Sequence, residues 1–260
     1  APLILPHLAK RPVALLRAPD GIGGEQFFQK HMEGRALPGV TLLDPALDPG
    51  HAALLEIGSE AALMGVVQMN TVELHTWNAT HDKIERPDRF TLDLDPGEGV
   101  AWPQVQEAAL LVRTLLTELG LVPFLKTSGG KGLHVVTPIK RLYDWDTVKA
   151  FSKQLVDHLA RLMPDRFTAV SGPKNRVGKI YPDYLRNARG ATTVCAWSVR
   201  ARPGLGVSVP VAWEELPSLT GAAQWTVGNI EERLRVGNGV WQISELDSKK
   251  LSAAINTLRN

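Results

Sequence analysis

A single cysteine among 260 residues, Cys195, excludes any internal disulfide, and no metal-ligating companions flank it. Its setting, Thr-Val-Cys-Ala-Trp, is that of a small buried apolar residue, and no role is assigned to it. Nowhere is there a run of about 18 apolar residues, and no charged-then-apolar leader opens the chain. Neither a membrane span nor a signal peptide is visible, which leaves the cytoplasm as the default setting. Charge of one sign is scarce too: the formal net charge is +2, too little by itself to argue for a nucleic-acid partner. Internal repeats and low-complexity tracts are missing as well. What the chain does have is 44% hydrophobic residues, enough for a substantial core in one large domain or two closely packed halves.

The most informative stretch is Arg89-Phe-Thr-Leu-Asp-Leu-Asp-Pro-Gly-Glu. It reads as a short buried strand ending in a turn. Side chains alternate along a strand, so Asp93 and Asp95 share one face while Phe90, Leu92 and Leu94 point into the opposite layer. The two carboxylates then stand roughly 6 to 7 Å apart, a repulsive arrangement unless solvent screens it or a cation lies between them. A divalent metal meets that need. Pro96 and Gly97 stop the strand and put the pair at its carboxyl end, where open α/β sheets build their sites. A bare Asp-x-Asp equally fits two solvated turn formers.

After an expected helix over 103–119 and an expected strand over 121–126 comes Thr127-Ser-Gly-Gly-Lys-Gly-Leu-His, then Val135-Val136. Gly129, Gly130 and Gly132 let backbone amides converge on an anion, with Ser128, Lys131 and His134 beside them. The spacing is not that of a P-loop and no helix follows, so this is no Walker motif. Alone, the segment could be an ordinary hairpin. Beside a carboxylate pair it reads as half of a nucleoside triphosphate site.

Elsewhere the pattern predicts a helix end over 3–8, a strand over 11–17, a loop over 19–24 and a short helix over 25–31. Residues 34–51, rich in Pro, Gly and Asp, read as an irregular connection. A helix over 60–69 is expected to bury Ala61, Leu63, Met64 and Val67. Over 72–77 a strand places Glu73, His75 and Trp77 on one face. The 103–119 helix has Pro at its start, Gly120 just past its end, and a stripe of Val105, Ala109, Val112 and Leu116. A second helix over 145–162 carries Val148, Phe151, Leu155 and Leu159 before Pro164 ends it. A basic loop over 171–178 leads to a strand over 179–183, a buried strand follows over 191–197, and short helices over 213–216, 225–234 and 246–258 are expected to pack on the sheet. Between 161 and 202 lie nine Lys or Arg against two acids, an excess that suits a positive cleft as well as a solvated face.

Four ordered motifs carry a family resemblance: Phe90-Thr-Leu-Asp-Leu-Asp-Pro-Gly, Ser128-Gly-Gly-Lys-Gly-Leu-His, Lys179-Ile-Tyr-Pro-Asp-Tyr and Ser198-Val-Arg-Ala-Arg-Pro-Gly. Together they resemble the polymerase domain of bacterial DNA ligase D, in the archaeo-eukaryotic primase superfamily. The likeness runs from Leu5-Pro-His-Leu-Ala-Lys-Arg-Pro to Trp225-Thr-Val. It implies an α+β fold of mixed, mainly antiparallel sheets flanked by helices, forming a single primase-polymerase domain over 1–260. Within it, an N-terminal α/β portion (about 1–85) packs on an RRM-like catalytic core (about 86–212), and C-terminal helices follow (213–260).

The resemblance also implies a chemistry: a primer 3′-hydroxyl attacks the α-phosphate of an NTP or dNTP. Asp93, Asp95 and Asp183 would hold two Mn2+ (or Mg2+) ions. Ser128, Gly129, Lys131, Gly132 and His134 would bind the phosphates, Arg200 and Arg202 would offset their charge, and His75 would lie near the sugar and metals. For DNA, Phe27 or Phe28 would stack on template bases next to Lys30, and Arg176, Lys179 and Arg186 would line the basic approach. Ribonucleotide preference, gap filling and end addition in non-homologous end joining are implied, as are fused ligase and phosphoesterase domains, a Ku-like end-binding partner and a nucleoid-associated setting. In the family a helix and basic residues upstream of this start are linked to a DNA 5′-phosphate, so that recognition is assigned to no residue here. Two other classes stay open: a non-catalytic module gripping DNA ends through 161–202 with a purely structural metal, and a sugar-nucleotide transferase using Asp-x-Asp on a metal-bound diphosphate.

Overall fold

The computed structural model describes residues 1–34 and 37–259. Arg35 and Ala36, part of the expected 34–51 connection, lie outside the described residues. A one-turn helix, α1 (Leu5–Leu8), leads into β1 (Val13–Arg17). From there β2 (Phe27–Gln29) folds back on β1, and β3 (His31–Met32) and β4 (Thr41–Leu42) both pair with β5 (Ala53–Glu56). Next come α2 (Glu60–Val67) and β6 (Thr71–Thr76), which pairs along β1.

Two expectations fail in this portion. Residues 25–31 contain strands, not a helix: Leu16 faces Phe28 and Arg17 faces Phe27 across β1 and β2. Backbone pairing with β1 outweighs a weak local helix preference, and adjacent aromatics favour a pleated surface. The second concerns α2, which forms near its expected place but buries Ala62, Gly65 and Val66. Met64 and Val67 are about half exposed. The reason is a close approach: a Cβ on Gly65 would lie 2.5 Å from the Pro38 carbonyl oxygen. The small-residue face admits the neighbouring chain where the bulkier one cannot.

The centre of the chain follows as β7 (Arg89–Pro96), α3 (Trp102–Glu118), β8 (Phe124–Thr127), β9 (Leu133–Pro138), α4 (Trp145–Leu162) and β10 (Ile180–Asp183). β11 (Thr193–Val194) then crosses to pair with β6, and β12 (Pro210–Val211) pairs with β8. The second sheet runs β10-β7-β9-β8-β12, antiparallel throughout. Its first four strands have the βαββαβ connectivity and split order of a ferredoxin-like unit. The fold is α+β, with antiparallel sheets flanked by helices.

Alternation decides which face does what. Phe90, Leu92, Leu94, Leu133 and Val135 pack with Val112 and Leu116 of α3 and Phe151 and Leu155 of α4. Asp144 caps α4 by accepting the Thr147 amide at 2.9 Å. The other face turns towards the first sheet: Val136 joins Leu15, Leu55, Leu74 and Val209 in a shared core. Polar side chains of that face stay free to build a site.

The expected 191–197 strand is shorter than its apolar pattern, since only Thr193 and Val194 pair. Trp197 then takes a left-handed φ of 68° and donates its amide to the Ser208 oxygen, turning the chain towards Arg200. Downstream, 213–218 is a 3-10 turn, α5 (Glu231–Val236) is later and shorter than expected, and α6 (Ser252–Arg259) packs on α4 and joins the core beneath the second sheet through Ala254. No helix among the described residues is long and apolar enough to cross a membrane.

Candidate active site

Strand register assembles the site. Asp93 lies opposite Asp183 on β10 and opposite His134 on β9, and His134 in turn faces Lys126 on β8. Directly opposed residues of an antiparallel pair point to the same side. Lys126, His134, Asp93 and Asp183 therefore form one row across four strands. Asp95, two residues on, shares that face and stands at the strand end. The residue expected to complete the carboxylate set is thus brought beside Asp93 from 90 residues away.

Each carboxylate has an imidazole or guanidinium neighbour. His134 Nε2 lies 3.2 Å from Asp93 Oδ1. Arg186 Nε is 3.0 Å from Asp183 and 3.8 Å from Asp93, while Arg176 Nη1 donates to Asp95 Oδ2 at 2.9 Å. Two of the residues expected on DNA, Arg176 and Arg186, are held here by the aspartates. The oxygens of the three aspartates do not all come within 4.8 Å of one another.

Burial raises the cost of every charge in this row. For Asp93, burial pushes the pKa up, but His134, Arg186 and Lys126 outweigh it and hold the carboxyl well below the usual range. Asp95 goes the other way: burial, then the Asp93 charge, lifts it to about 6 against the pull of Arg176. Asp183 is likewise raised, by burial and by Asp93. His134 falls to about 4 and Lys126 to about 7, each because burial disfavours its cation. A face that leaves two of three carboxylates reluctant to ionise is short of positive charge, and its all-oxygen donor set suits hard divalent ions.

The glycine-rich hairpin borders the same cleft, a space of about 910 Å³ lined by Asp93, Asp95, Ser128, Lys131, Gly132, Arg176, Arg186, Arg200 and Arg202 among others. Its amides are not all free. Those of Gly130 and Gly132 donate to Ser128 Oγ at 3.1 and 3.2 Å, which leaves the hydroxyl proton available to an incoming acceptor. Gly132 is required by space, since a Cβ there would sit 2.1 Å from the Leu94 carbonyl oxygen. Gly129 has φ +68° and packs on the Ser208 amide. His134 is not beside the loop as expected: it is 2% exposed, beneath the carboxylates, with Nδ1 unpartnered.

A residue outside the expected set, Glu73, organises the opposite wall. Buried at 3% exposure, it accepts from His75 Nε2 at 2.7 Å, Arg200 Nε at 3.0 Å and the Ala201 amide at 2.8 Å. Burial pushes Glu73 up, but the His75 hydrogen bond and the Arg200 charge bring it to about 2. Arg200 also donates Nη1 to the Ser128 oxygen, tying this wall to the hairpin. It is therefore an anchored cation paired with a buried acid, whereas exposed Arg202 has no ion pair among the described residues. The only sequence hint of Glu73 was its shared strand face with His75. Asp183, His75, Gly129 and His134 border the site without lining the cleft, and the DNA-facing residues lie further off: Phe27 and Phe28 are 41% and 43% exposed on β2, with Phe28 edge-on to His75 at 5.1 Å. Lys30 Nζ donates to the Gly190 oxygen, and Lys179 is half-buried at the foot of β10.

The family described as the LigD primase-polymerase domain matches residues 1–241. A multifunctional non-homologous end joining protein LigD from Pseudomonas aeruginosa is 57% identical over 98% of this chain, and its counterpart from Mycobacterium bovis 32% identical over 83%. The chain spans 31% and 30% of the lengths of those two proteins. Among solved structures, the polymerase domain of Mycobacterium tuberculosis ligase D in complex with DNA superposes with a TM-score of 0.81 at 29% identity, covering 90% of this chain and 84% of that one. With a match over nearly its whole length and a relative at this identity, the chain belongs to the LigD primase-polymerase domain family.

Proposed function

We propose that this chain is a metal-dependent nucleotidyltransferase of DNA end joining, adding nucleotides, ribonucleotides by preference, to DNA 3′ ends and filling gaps. The observation that carries the reading is the β7 carboxylate pair, Asp93 and Asp95, lining one cleft with the hairpin and an arginine pair, with Asp183 of β10 set beside Asp93 by strand register. Asp93, Asp95 and Asp183 fit two Mn2+ or Mg2+ ions by donor chemistry. When bound, such ions would lower the pKa of a primer 3′-hydroxyl and offset charge on departing pyrophosphate.

The protein's own contribution is positioning and charge. His134, kept neutral at pH 7 by burial, orients Asp93 through its hydrogen bond, while the Arg186 charge favours the ionised carboxylate. Arg176 and Arg186 neutralise the aspartates and are the groups a nucleotide or metal would displace, becoming free for phosphates of nucleotide or DNA. Ser128 Oγ, Lys131 and Arg202 supply donors to the β- and γ-phosphates, and Arg200, fixed by Glu73, adds a cation that needs no reorganisation. Phe27 and Phe28 offer stacking surface to template bases, with Lys30 beside them.

The test is extension of a labelled gapped duplex with Mn2+ and each nucleotide in turn. Asp95→Ala should abolish extension and leave duplex binding nearly intact. Extension at the wild-type rate would remove the assignment. Duplex binding by the wild type with a steep salt dependence and no incorporation would favour a DNA-gripping module instead.

A further inference from the structure

A second group of ligand-type side chains lies on the first sheet, outside the cleft. Asp48-Pro49-Gly50-His51 is a β-turn closed by the His51 amide donating to the Asp48 oxygen at 3.3 Å. Proline at its second position and Gly50 at φ +87° give it the type II form, which brings the first and fourth side chains together. Asp48 and His51 thus form a chelate dictated by local sequence. His31 on β3 supplies a third group: its ring stacks on His51 at 4.9 Å, and its Nε2 lies 2.7 Å from Asp48 Oδ2. The His51 Nδ1 to Asp48 Oδ2 distance is 3.4 Å. All three ligand atoms fall within 4.8 Å of one another. Bonds of about 2.0–2.1 Å to a tetrahedral ion place neighbouring ligand atoms ~3.3 Å apart. The turn already has that spacing, and the His31 contact must open by only a fraction of an ångström.

We propose that His31, Asp48 and His51 form a site for a divalent transition ion of the zinc class, separate from the carboxylate row, which fastens the Phe27–Met32 ribbon to the body of the protein. Two imidazoles and one carboxylate select zinc-like ions over the hard ions suited to the aspartates. The outer shell is in place. Asp48 Oδ1 accepts from Arg189 Nη1 at 2.7 Å, which orients the carboxylate, and Glu85 shares the Arg189 charge at 2.8 Å so that it opposes a cation less. His51 is 60% exposed, giving an ion a path of entry. The ribbon is otherwise held by short pairings with β1 and β5, the Lys30 contact to Gly190, Arg17 contacts to Phe27 and Gln29, and Phe28 against His75, so an ion here adds a further tie to the segment that presents Phe27 and Phe28.

The experiment uses the whole chain, stripped with a chelator, desalted and titrated with Zn2+ and Co2+. One equivalent of Zn2+ should be retained by the wild type and by Asp95→Asn, and Co2+ should give the intense visible bands of a low-coordinate site. His51→Ala, at an exposed position and with its fold checked by circular dichroism, should weaken Zn2+ binding at least tenfold, and His31→Ala likewise. Zn2+ should also slow amide hydrogen exchange over residues 27–32 in the wild type but not in His51→Ala. No bound Zn2+ in the wild type, unchanged affinity in His51→Ala, or loss of binding in Asp95→Asn alone would each overturn the site. An unchanged exchange rate with Zn2+ bound would overturn the fastening role. None of these outcomes depends on nucleotide addition.

Discussion

The carboxylate row makes its strongest claim through pH. Asp95 has its pKa raised to about 6, by burial first and by Asp93 second. A carboxylate binds a divalent ion only after losing its proton, so protons and metal compete. Below about pH 6 each unit of pH should therefore cost roughly tenfold in Mn2+ affinity through Asp95 alone. Above it the affinity should level off. Asp183, raised in the same direction, steepens the acid end. The measurement is Mn2+ titration followed by electron paramagnetic resonance at pH 5, 6, 7 and 8. Arg176 pulls Asp95 down, so Arg176→Gln should shift the inflection to higher pH.

The same shift predicts a stability effect of opposite sign to intuition. A carboxyl whose folded pKa lies above its unfolded value of 3.8 binds its proton more tightly when folded. Metal-free stability from this group is thus greatest below about pH 4 and is lost as pH rises through about 6. With a third of the side chain open to solvent, the loss discounts to about 1–2 kcal/mol. Asp95→Asn should then unfold at higher urea than metal-free wild type at pH 7, and Mn2+ should close the gap. A flat affinity between pH 5 and 7, or an Asn variant that is less stable at pH 7, refutes the reasoning.

Other sites give independent checks. Glu73→Ala strips the partly buried Arg200 of its carboxylate partner while its bond to the Ser128 oxygen remains, and should cost about 1–3 kcal/mol in urea unfolding; Glu73→Gln, which can still accept the Ala201 amide, should fold and raise the nucleotide KM. Phe27→Ala and Phe28→Ala should each leave stability within about 0.5 kcal/mol yet weaken gapped-duplex binding, by fluorescence anisotropy at fixed salt, by about 1–3 kcal/mol. Lys126 has a folded pKa near 7 against 10.5 unfolded, because it is buried. The unfolded chain therefore binds more protons between those values, and wild-type stability should gain up to ~1.4 kcal/mol per unit from pH 7.5 to 9 relative to Lys126→Met. Parallel stability curves for the two proteins would show that Lys126 does not titrate there.

Local pattern carried some of this and could not carry the rest. The helix at 145–162 was legible because Val148, Phe151, Leu155 and Leu159 repeat at the helical period and all are buried. The Asp93 and Asp95 face was legible because strand alternation is strict. In 25–31 no such constraint exists: two adjacent aromatics fit either period, and the partner that decides, β1, lies ten or more residues away. The face of α2 was misread because bulk was equated with burial, whereas contact with Pro38 needs Gly65. Glu73 escaped because its reason for being there, Arg200, is 127 residues distant. Similarly, Arg176 looked like free basic surface because the aspartate it neutralises, Asp95, is 81 residues distant, whereas Arg186 has its partner Asp183 only three residues before it.

What most needs explaining is why Asp183 faces the site at all, since a slip of one residue in β10 would turn it into the helix-facing core. β10 pairs with β7 over only four residues, too short a ladder to fix register by itself. Two further contacts pin its ends. At the entry, Gly97 donates to the Lys179 oxygen at 2.9 Å, and a Cβ there would lie 1.6 Å from the Arg176 oxygen, so only glycine allows the basic loop to approach the end of β7. At the exit, β10 has already turned away, and the Asn187 side chain takes its place in the ladder. It accepts the Thr91 amide and donates to the Thr91 oxygen, both at 2.8 Å, while Ser152 of α4 and Asn78 hold the amide in place. A side chain that completes a strand's hydrogen bonding can do so in one register only. The turn between these pins carries Asp183 and Arg186, so the third carboxylate and its counter-charge are set by Asn187, a residue with no chemistry of its own.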